Sequence, residues 1–208
     1  MNKTLLALTI TTLAAPSAMA TEYFVGGGLG YHTTKAEIAN NGHGYTGKNS
    51  GLALHIRGGA YITENHRLTG TANFVLNDEV YAESTPGLSG SDYTIDFKQT
   101  EFLMSYDYIH SISSDFSVFG GATAGMVKNT LKEEERYYNF PYLSYSVEES
   151  KSDFTYGLQV GAQYKLTNDL SADLQYRHMF ESFSYTEGNY KESISNHGEF
   201  TISLDYRF

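Results

Sequence analysis

The chain has 208 residues, 24 Asp+Glu against 14 Lys+Arg, and a formal net charge of −10 at pH 7. This acidic balance argues against recognition of nucleic acid or of an anionic membrane surface by charge alone. The absence of Cys excludes disulfides, lipoprotein acylation and thiolate metal sites. With 18 Tyr, 12 Phe and no Trp, any aromatic girdle has to be built from Tyr and Phe, and 20 Gly with 3 Pro suit a strand-rich protein.

Met1 to Ala20 reads as a secretory signal peptide. Lys3 supplies the positive start, Leu5 to Ala15 the apolar stretch, and Ala18-Met19-Ala20 the small-x-small cleavage pattern. The stretch is too short to cross about 30 Å of hydrocarbon as an anchor. A mature chain starting at Thr21 loses Lys3, leaving 13 basic residues against 24 acidic and a net charge of −11. No other segment approaches an apolar run of about 18 residues, so membrane insertion has to use strands.

Eight segments then alternate with the period of two that marks a strand with one apolar and one polar face. The first, Tyr23–Tyr31, sets Tyr23, Val25, Leu29 and Tyr31 against glycines. Leu52–Ile62 sets Leu52, Leu54 and Ile56 against His55 and Arg57, and Arg67–Leu76 sets Leu68, Ala72, Phe74 and Leu76 against Thr69, Thr71 and Asn73. In Thr94–Ile109 the apolar row is Phe102, Met104, Tyr106 and Tyr108, opposed by Glu101, Ser105 and Asp107. Phe116–Val127 is rich in Gly and Ala, and its facing stays open. Phe154–Leu166 and Leu170–Phe180 alternate cleanly, the latter with Asp173, Gln175 and Arg177 on its polar face. The closing strand runs to the terminus with Phe200, Ile202, Leu204, Tyr206 and Phe208 on one side and Glu199, Asp205 and Arg207 on the other. Most segments are about 9–11 residues or slightly longer, the length a tilted strand needs to cross a bilayer.

Three connections are short and polar: Thr63–His66, Ser111–Asp115 and Thr167–Asp169. Four are long: His32–Ser50, Asn77–Asp92, Lys128–Ser152 and Glu181–Gly198. They alternate strictly, as short periplasmic turns and longer outer loops do in an eight-stranded barrel with both termini inside. A soluble eight-stranded barrel of lipocalin type is the rival architecture, with the apolar face inside. Alternation alone does not choose between them. Gly26, Gly28, Gly59, Gly157 and Gly161 lie mostly on the polar face, which suits a narrow, filled, hydrogen-bonded interior. The expected fold is all-β: an eight-stranded antiparallel up-and-down transmembrane β-barrel.

From Thr21 to Phe208 the chain resembles the small eight-stranded outer-membrane barrels: the OmpX/Ail-type and opacity-like surface proteins and the barrel half of OmpA. The resemblance rests on Phe24-Val25-Gly26-Gly27-Gly28-Leu29-Gly30-Tyr31, on Tyr164-Lys165-Leu166-Thr167-Asn168-Asp169-Leu170, on Leu174-Gln175-Tyr176-Arg177 and on the closing Tyr206-Arg207-Phe208. It implies a Gram-negative outer membrane after cleavage near Ala20, and contact with outer-membrane lipid and lipopolysaccharide. It also implies that the outer-membrane assembly machinery reads Phe200, Ile202, Leu204, Tyr206 and Phe208. No OmpA-type peptidoglycan-binding domain is expected to follow. Such signatures specify fold and leave function open.

On the polar face, Arg57, Glu101, Asp107, Asp173, Arg177, Glu199, Asp205 and Arg207 fall inward in a barrel of this size, with His55 beside them, and must pair. Depth counting suggests Asp173 with Arg207, and Arg177 with a residue near Glu199. A salt-bridge network filling the lumen is the expected role. A gated ion path or a carboxylate pair is the sharper alternative.

No catalytic constellation emerges. A lipid A deacylase-like site would place a Ser two residues after a strand-end His, but Phe180 follows His178 at that spacing, and Ser182 and Ser184 come later. The remaining histidines lack metal-ligand spacing, so no metal or other cofactor is expected. Function is expected in the outer loops. The third carries Lys132 to Arg136, then Tyr137, Tyr138, Phe140, Tyr142 and Tyr145, and its alternation near Leu143–Val147 suggests an extended hairpin. Arg136, Tyr137, Tyr138, Phe140, Tyr142 and Tyr145 form a candidate binding surface for an extracellular protein or glycan. Equally, its aromatics could pack on neighbouring loops or on lipopolysaccharide sugars. Loop one (Asn40 to Gly47) reads as flexible and polar, and loop two as acidic through Asp78, Glu79 and Glu83. The expected protein is a monomeric, non-enzymatic surface barrel serving adhesion, host or environment interaction, or envelope integrity. A small-solute or ion channel and a lipid A-modifying enzyme are the alternatives.

Overall fold

A computed structural model describes residues 22–40, 43–85, 91–187 and 190–208. The signal segment lies outside the described residues, as do the side chains of Asp78, Glu79, Glu83, Ser182, Ser184 and most of loop one.

Eight antiparallel strands close a barrel in the order β1-β2-β3-β4-β5-β6-β7-β8. They are β1 (Glu22–Asn40), β2 (His43–Thr63), β3 (His66–Thr85), β4 (Ser91–Ser111), β5 (Phe116–Tyr137), β6 (Tyr145–Lys165), β7 (Leu170–Glu187) and β8 (Tyr190–Arg207). The three short connections sit where the sequence puts them. In each, a hydroxyl ties down the turn: Thr63 Oγ1 accepts from the Asn65 amide, Ser113 Oγ from Phe116 and Thr167 Oγ1 from Leu170. The barrel closes as Phe24↔Arg207 through Tyr31↔Phe200, with Phe208 and Tyr23 exchanging backbone hydrogen bonds of 2.9 and 3.1 Å.

Apolar side chains line the outside and polar ones the inside. Val25, Leu54, Ile56, Phe102, Leu158 and Ile202 are exposed. Arg67, Asn73, Glu101, Asp107, Asp173 and Asp205 are shut away from solvent. That inversion fits a hydrocarbon exterior. On β6 the apolar band runs from Tyr164 up to Phe154, ten residues or about 33 Å of strand, which is about 23 Å of height at a 45° tilt. Tyr23, Tyr108, Tyr164 and Tyr206 ring the turn end, and Tyr31, Phe154, Tyr156 and Phe180 the hairpin end, so the girdle is built of Tyr and Phe. Strand β5 resolves its open facing: Ser117, Phe119, Thr123, Val127 and Asn129 are buried, while Phe116 and Met126 look out.

The strands are far longer than the 9–11 residues expected, at 18 to 22 residues each. The long connections are mostly paired strand: β5 and β6 stay in register up to Glu135↔Tyr145, and β1 and β2 up to Asn40↔His43. Loop one is therefore a hairpin, not a flexible coil. The β5–β6 extension is the hairpin that the alternation near Leu143–Val147 suggests, while the others read as loops because the apolar/polar contrast of a strand is lost in their sequence. On β6, Tyr145 to Ser152 is exposed residue after residue, so the apolar/polar contrast that marks a strand vanishes.

Closure also fails above the apolar band. Among the described residues, β2 and β3 stop pairing at Ala53↔Val75, and β6 and β7 at Thr155↔Glu181. The other six neighbours continue to the strand tips. The two seams lie four strands apart. Beyond them the barrel divides into two four-stranded sheets, β7-β8-β1-β2 and β3-β4-β5-β6. Pairing of β8 with β1 closes the barrel within the apolar band, but four edges reappear above it.

Candidate functional site: the filled lumen and the outer hairpin

At the turn end an apolar floor of Phe24, Tyr61, Ile109 and Phe119 closes the interior. Above it lies a lower ionic layer. Arg57 donates to both Asp205 carboxylate oxygens at 2.8 and 2.6 Å and lies 2.8 Å from Asp173. Arg67 reaches Asp107 at 3.0 and 3.1 Å and Asp173 at 2.7 Å, with its guanidinium 4.5 Å from the Phe119 ring centroid. Gln159 and Gln163 donate to Asp107 and Asp173 at 2.6 and 2.8 Å. Two arginines thus face three aspartates. Arg207, just below, donates to Gln163 and to the Tyr61 hydroxyl at 2.8 and 3.0 Å and lies 3.5 Å from Glu22.

An upper layer follows towards the hairpin end. Arg177 pairs with Glu199 at 3.0 Å and approaches Glu101 at 4.0 Å. Asn73 Nδ2 donates to Glu101 and Glu199 at 2.8 and 2.7 Å. His32 lies 3.2 Å from Glu199. His197 sits 2.8 Å from Glu101 and 3.4 Å from Glu181, close enough for ion pairing, although neither ring nitrogen is aligned for a hydrogen bond. The two imidazole rings approach to 4.8 Å. Between the layers, His55, Arg57, Thr71, Gln175, Arg177 and Thr201 enclose a cavity of about 10 Å3, room for one water. With both layers paired, the interior is occupied by its own side chains.

All eight charged residues expected on the inner face are buried there, and Arg177 meets Glu199 directly. The expected Asp173–Arg207 contact does not form. Asp173 faces Ser203 in the β7–β8 register, and Arg207 lies four residues, about 13 Å of strand, nearer the turn end. Asp173 turns instead to Arg57 and Arg67. Sequence reading missed Arg67, His32, Glu181 and His197, each at or beyond the end of an assigned segment. Their parity was a usable signal: Arg67 shares the face of Thr69 and Asn73, and His197 that of Glu199. His178 points outward with its ring edge-on to Phe180 at 4.9 Å, and Phe180 faces out as well.

On the outer hairpin, Arg136 is exposed and ion-paired to Glu134, which also holds Lys132 at 2.7 Å. Hydrogen bonds from Lys132 and Arg136 hold the Glu134 carboxyl below its ordinary range, and hydrogen bonds from Tyr138 and Ser84 do the same for Asp92. The Tyr137 amide donates to Ser144 Oγ at 3.0 Å, closing the tip. Tyr138, Phe140, Tyr142 and Tyr145 are exposed, with Phe140 and Tyr142 packed edge-on at 6.0 Å. Asp92, Glu134, Glu135, Arg136, Tyr137, Tyr138, Ser144, Tyr145 and Ser146 line an open groove of about 610 Å3. Phe200, Ile202, Leu204, Tyr206 and Phe208 form the lipid-side row of β8, all exposed.

Solved structures share this architecture. Neisserial surface protein A is 15% identical, with a TM-score of 0.57 over 89% of this chain and 97% of that one. Outer membrane protein OprG from Pseudomonas aeruginosa is 11% identical (TM-score 0.52, 91% and 97% covered). Outer membrane protease OmpT from Escherichia coli is 10% identical (TM-score 0.51, 93% and 99% covered). At these identities the likeness concerns the fold alone. A search of the curated proteins finds no match. The profile of the outer membrane protein beta-barrel domain matches residues 4–208. The chain belongs to that family and is an outer-membrane β-barrel of the Gram-negative envelope.

Proposed function

We propose that this protein is a closed membrane anchor that displays two β-sheets above the outer membrane as contact surfaces, without catalysis or solute conduction. The observation that carries the reading is length: each strand runs 18 to 22 residues, about twice what the bilayer needs. On β6 the excess is solvent-facing, and the β5–β6 hairpin ends in a tyrosine-rich tip. The two ionic layers and the apolar floor support a structural lumen over a conducting one. His178, with Phe180 rather than a nucleophile two residues on, gives no support to a lipid A-modifying enzyme. Lipopolysaccharide is the neighbour of the upper aromatic belt, the assembly machinery reads the lipid-side row of β8, and the barrel works as a monomer with an extracellular protein or glycan as its ligand.

The test compares cells carrying the full chain with cells in which 132–149 is replaced by a tight turn. Attachment to extracellular protein and glycan surfaces falls with the hairpin removed, and the refolded full chain gives no conductance steps in planar bilayers. Attachment unchanged by the deletion, or reproducible conductance steps, would overturn the reading.

A further inference from the structure

The β6|β7 seam leaves the outer half of β6 with a free backbone edge. From Tyr145 to Asp153 the strand is bonded to β5 on one side, while β7 pairs with it only from Thr155 downward. Every second amide and carbonyl on that stretch therefore faces solvent, which is a template for an added strand. Both faces of Tyr145 to Ser152 are exposed, so nothing described covers it. The edge belongs to the acidic part of the molecule. Segments 91–96 and 132–153 carry eight acidic residues against three basic ones, a net −5 out of −10 for the whole chain. All three basic residues face carboxylates: Lys132 and Arg136 are held by Glu134, and Lys151 lies 3.9 Å from Asp153. At the upper end of the edge, Tyr137, Tyr138 and Tyr145 wall the groove beside Glu135 and Asp92.

We infer that the β6 edge from Tyr145 to Asp153 takes an extended, Lys/Arg-rich segment of an extracellular protein as an additional strand. The backbone edge supplies register. Glu148 and Glu149 select positive side chains, and the tyrosine rings of the groove offer cation–π faces to a terminal Lys or Arg. A second copy of this chain is disfavoured as occupant, because two such edges would oppose Glu148 and Glu149 to one another. This inference rests on the outer sheets being contact surfaces, and narrows that reading to one edge and one charge class.

The test uses the full refolded chain in nanodiscs and three probes: a (Lys-Val)4 peptide, a (Glu-Val)4 peptide, and the Lys peptide N-methylated at alternate residues. The expected result is binding of the Lys peptide at least ten-fold tighter than the Glu peptide, weakening with salt. N-methylation and the exposed pair Glu148→Lys/Glu149→Lys each weaken it at least ten-fold. Equal binding of the two charges, or binding indifferent to N-methylation, would overturn it. So would salt-insensitive self-association of the protein through this edge. If hairpin deletion abolishes cell attachment while the peptides bind equally, the inference fails and the contact-surface reading stands. If the Lys peptide binds as stated while deletion leaves attachment unchanged, the reverse holds.

Discussion

Replacing Arg67 with Ala probes the lower ionic layer at its centre. Arg67 is 1% exposed and is the only cation within ion-pairing distance of Asp107 among the described residues, at 3.0 Å. Asp173 keeps Arg57 at 2.8 Å when Arg67 is lost, whereas Asp107 retains only the amide of Gln159 at 2.6 Å. The variant therefore strands one buried carboxylate, and breaking a buried pair this way costs about 3–5 kcal/mol. Asp107→Asn alone removes a favourable partner of Arg67 and destabilises. In the Arg67→Ala background it removes the stranded charge and returns about 1–2 kcal/mol, so its sign reverses. Urea titration in lipid vesicles, followed by far-UV circular dichroism and by gel mobility of unheated samples, measures all four proteins; the chain lacks Trp, so fluorescence would rest on Tyr. Arg67→Ala within about 0.5 kcal/mol of the parent, or Asp107→Asn acting equally in both backgrounds, would refute the argument.

Arg136→Ala, at an exposed ion pair, is expected to leave the urea midpoint unchanged within the error of the same titration. Leu158→Arg, in the middle of the lipid-facing row of β6, should cost about 2–4 kcal/mol in vesicles. Gly28→Val should prevent closure, because a Cβ there overlaps the carbonyl oxygen of Ile202 on β8; the expected readout is loss of the fast-migrating folded band on a gel.

Within the membrane the fold was legible because lipid and lumen impose opposite chemistry on alternate residues. Leu174 against Asp173, or Ile202 against Ser203, announces a strand without any structure. The three turns were equally legible, as short polar breaks between alternating segments at Thr63–His66, Ser111–Asp115 and Thr167–Asp169. On β6 above the membrane both faces meet water, and segments such as Ser146-Val147-Glu148-Glu149 carry no periodic contrast. The strands were therefore cut short there, and the split into two sheets was invisible. A seam is a fact of backbone pairing, not of composition. In the lumen, parity gave the inward residues but not their partners. Depth counting set Asp173 beside Arg207, whereas the stagger between strands places it with Arg57 and Arg67. The floor of Phe24, Tyr61, Ile109 and Phe119 was hidden because apolar residues there break the pattern that identified the polar face.

The division of the barrel into two sheets is tested most directly by residue-resolved amide hydrogen exchange of the protein in nanodiscs. In β6, every second amide from Tyr145 to Asp153 is predicted to exchange fast, with uninterrupted protection beginning at Thr155. The neighbouring stretch of β5, residues 128–135, bonded on both sides, is predicted to stay protected throughout. Continuous protection along β6 past Thr155 towards Tyr145 would mean that β7 remains paired there, and would contradict the account.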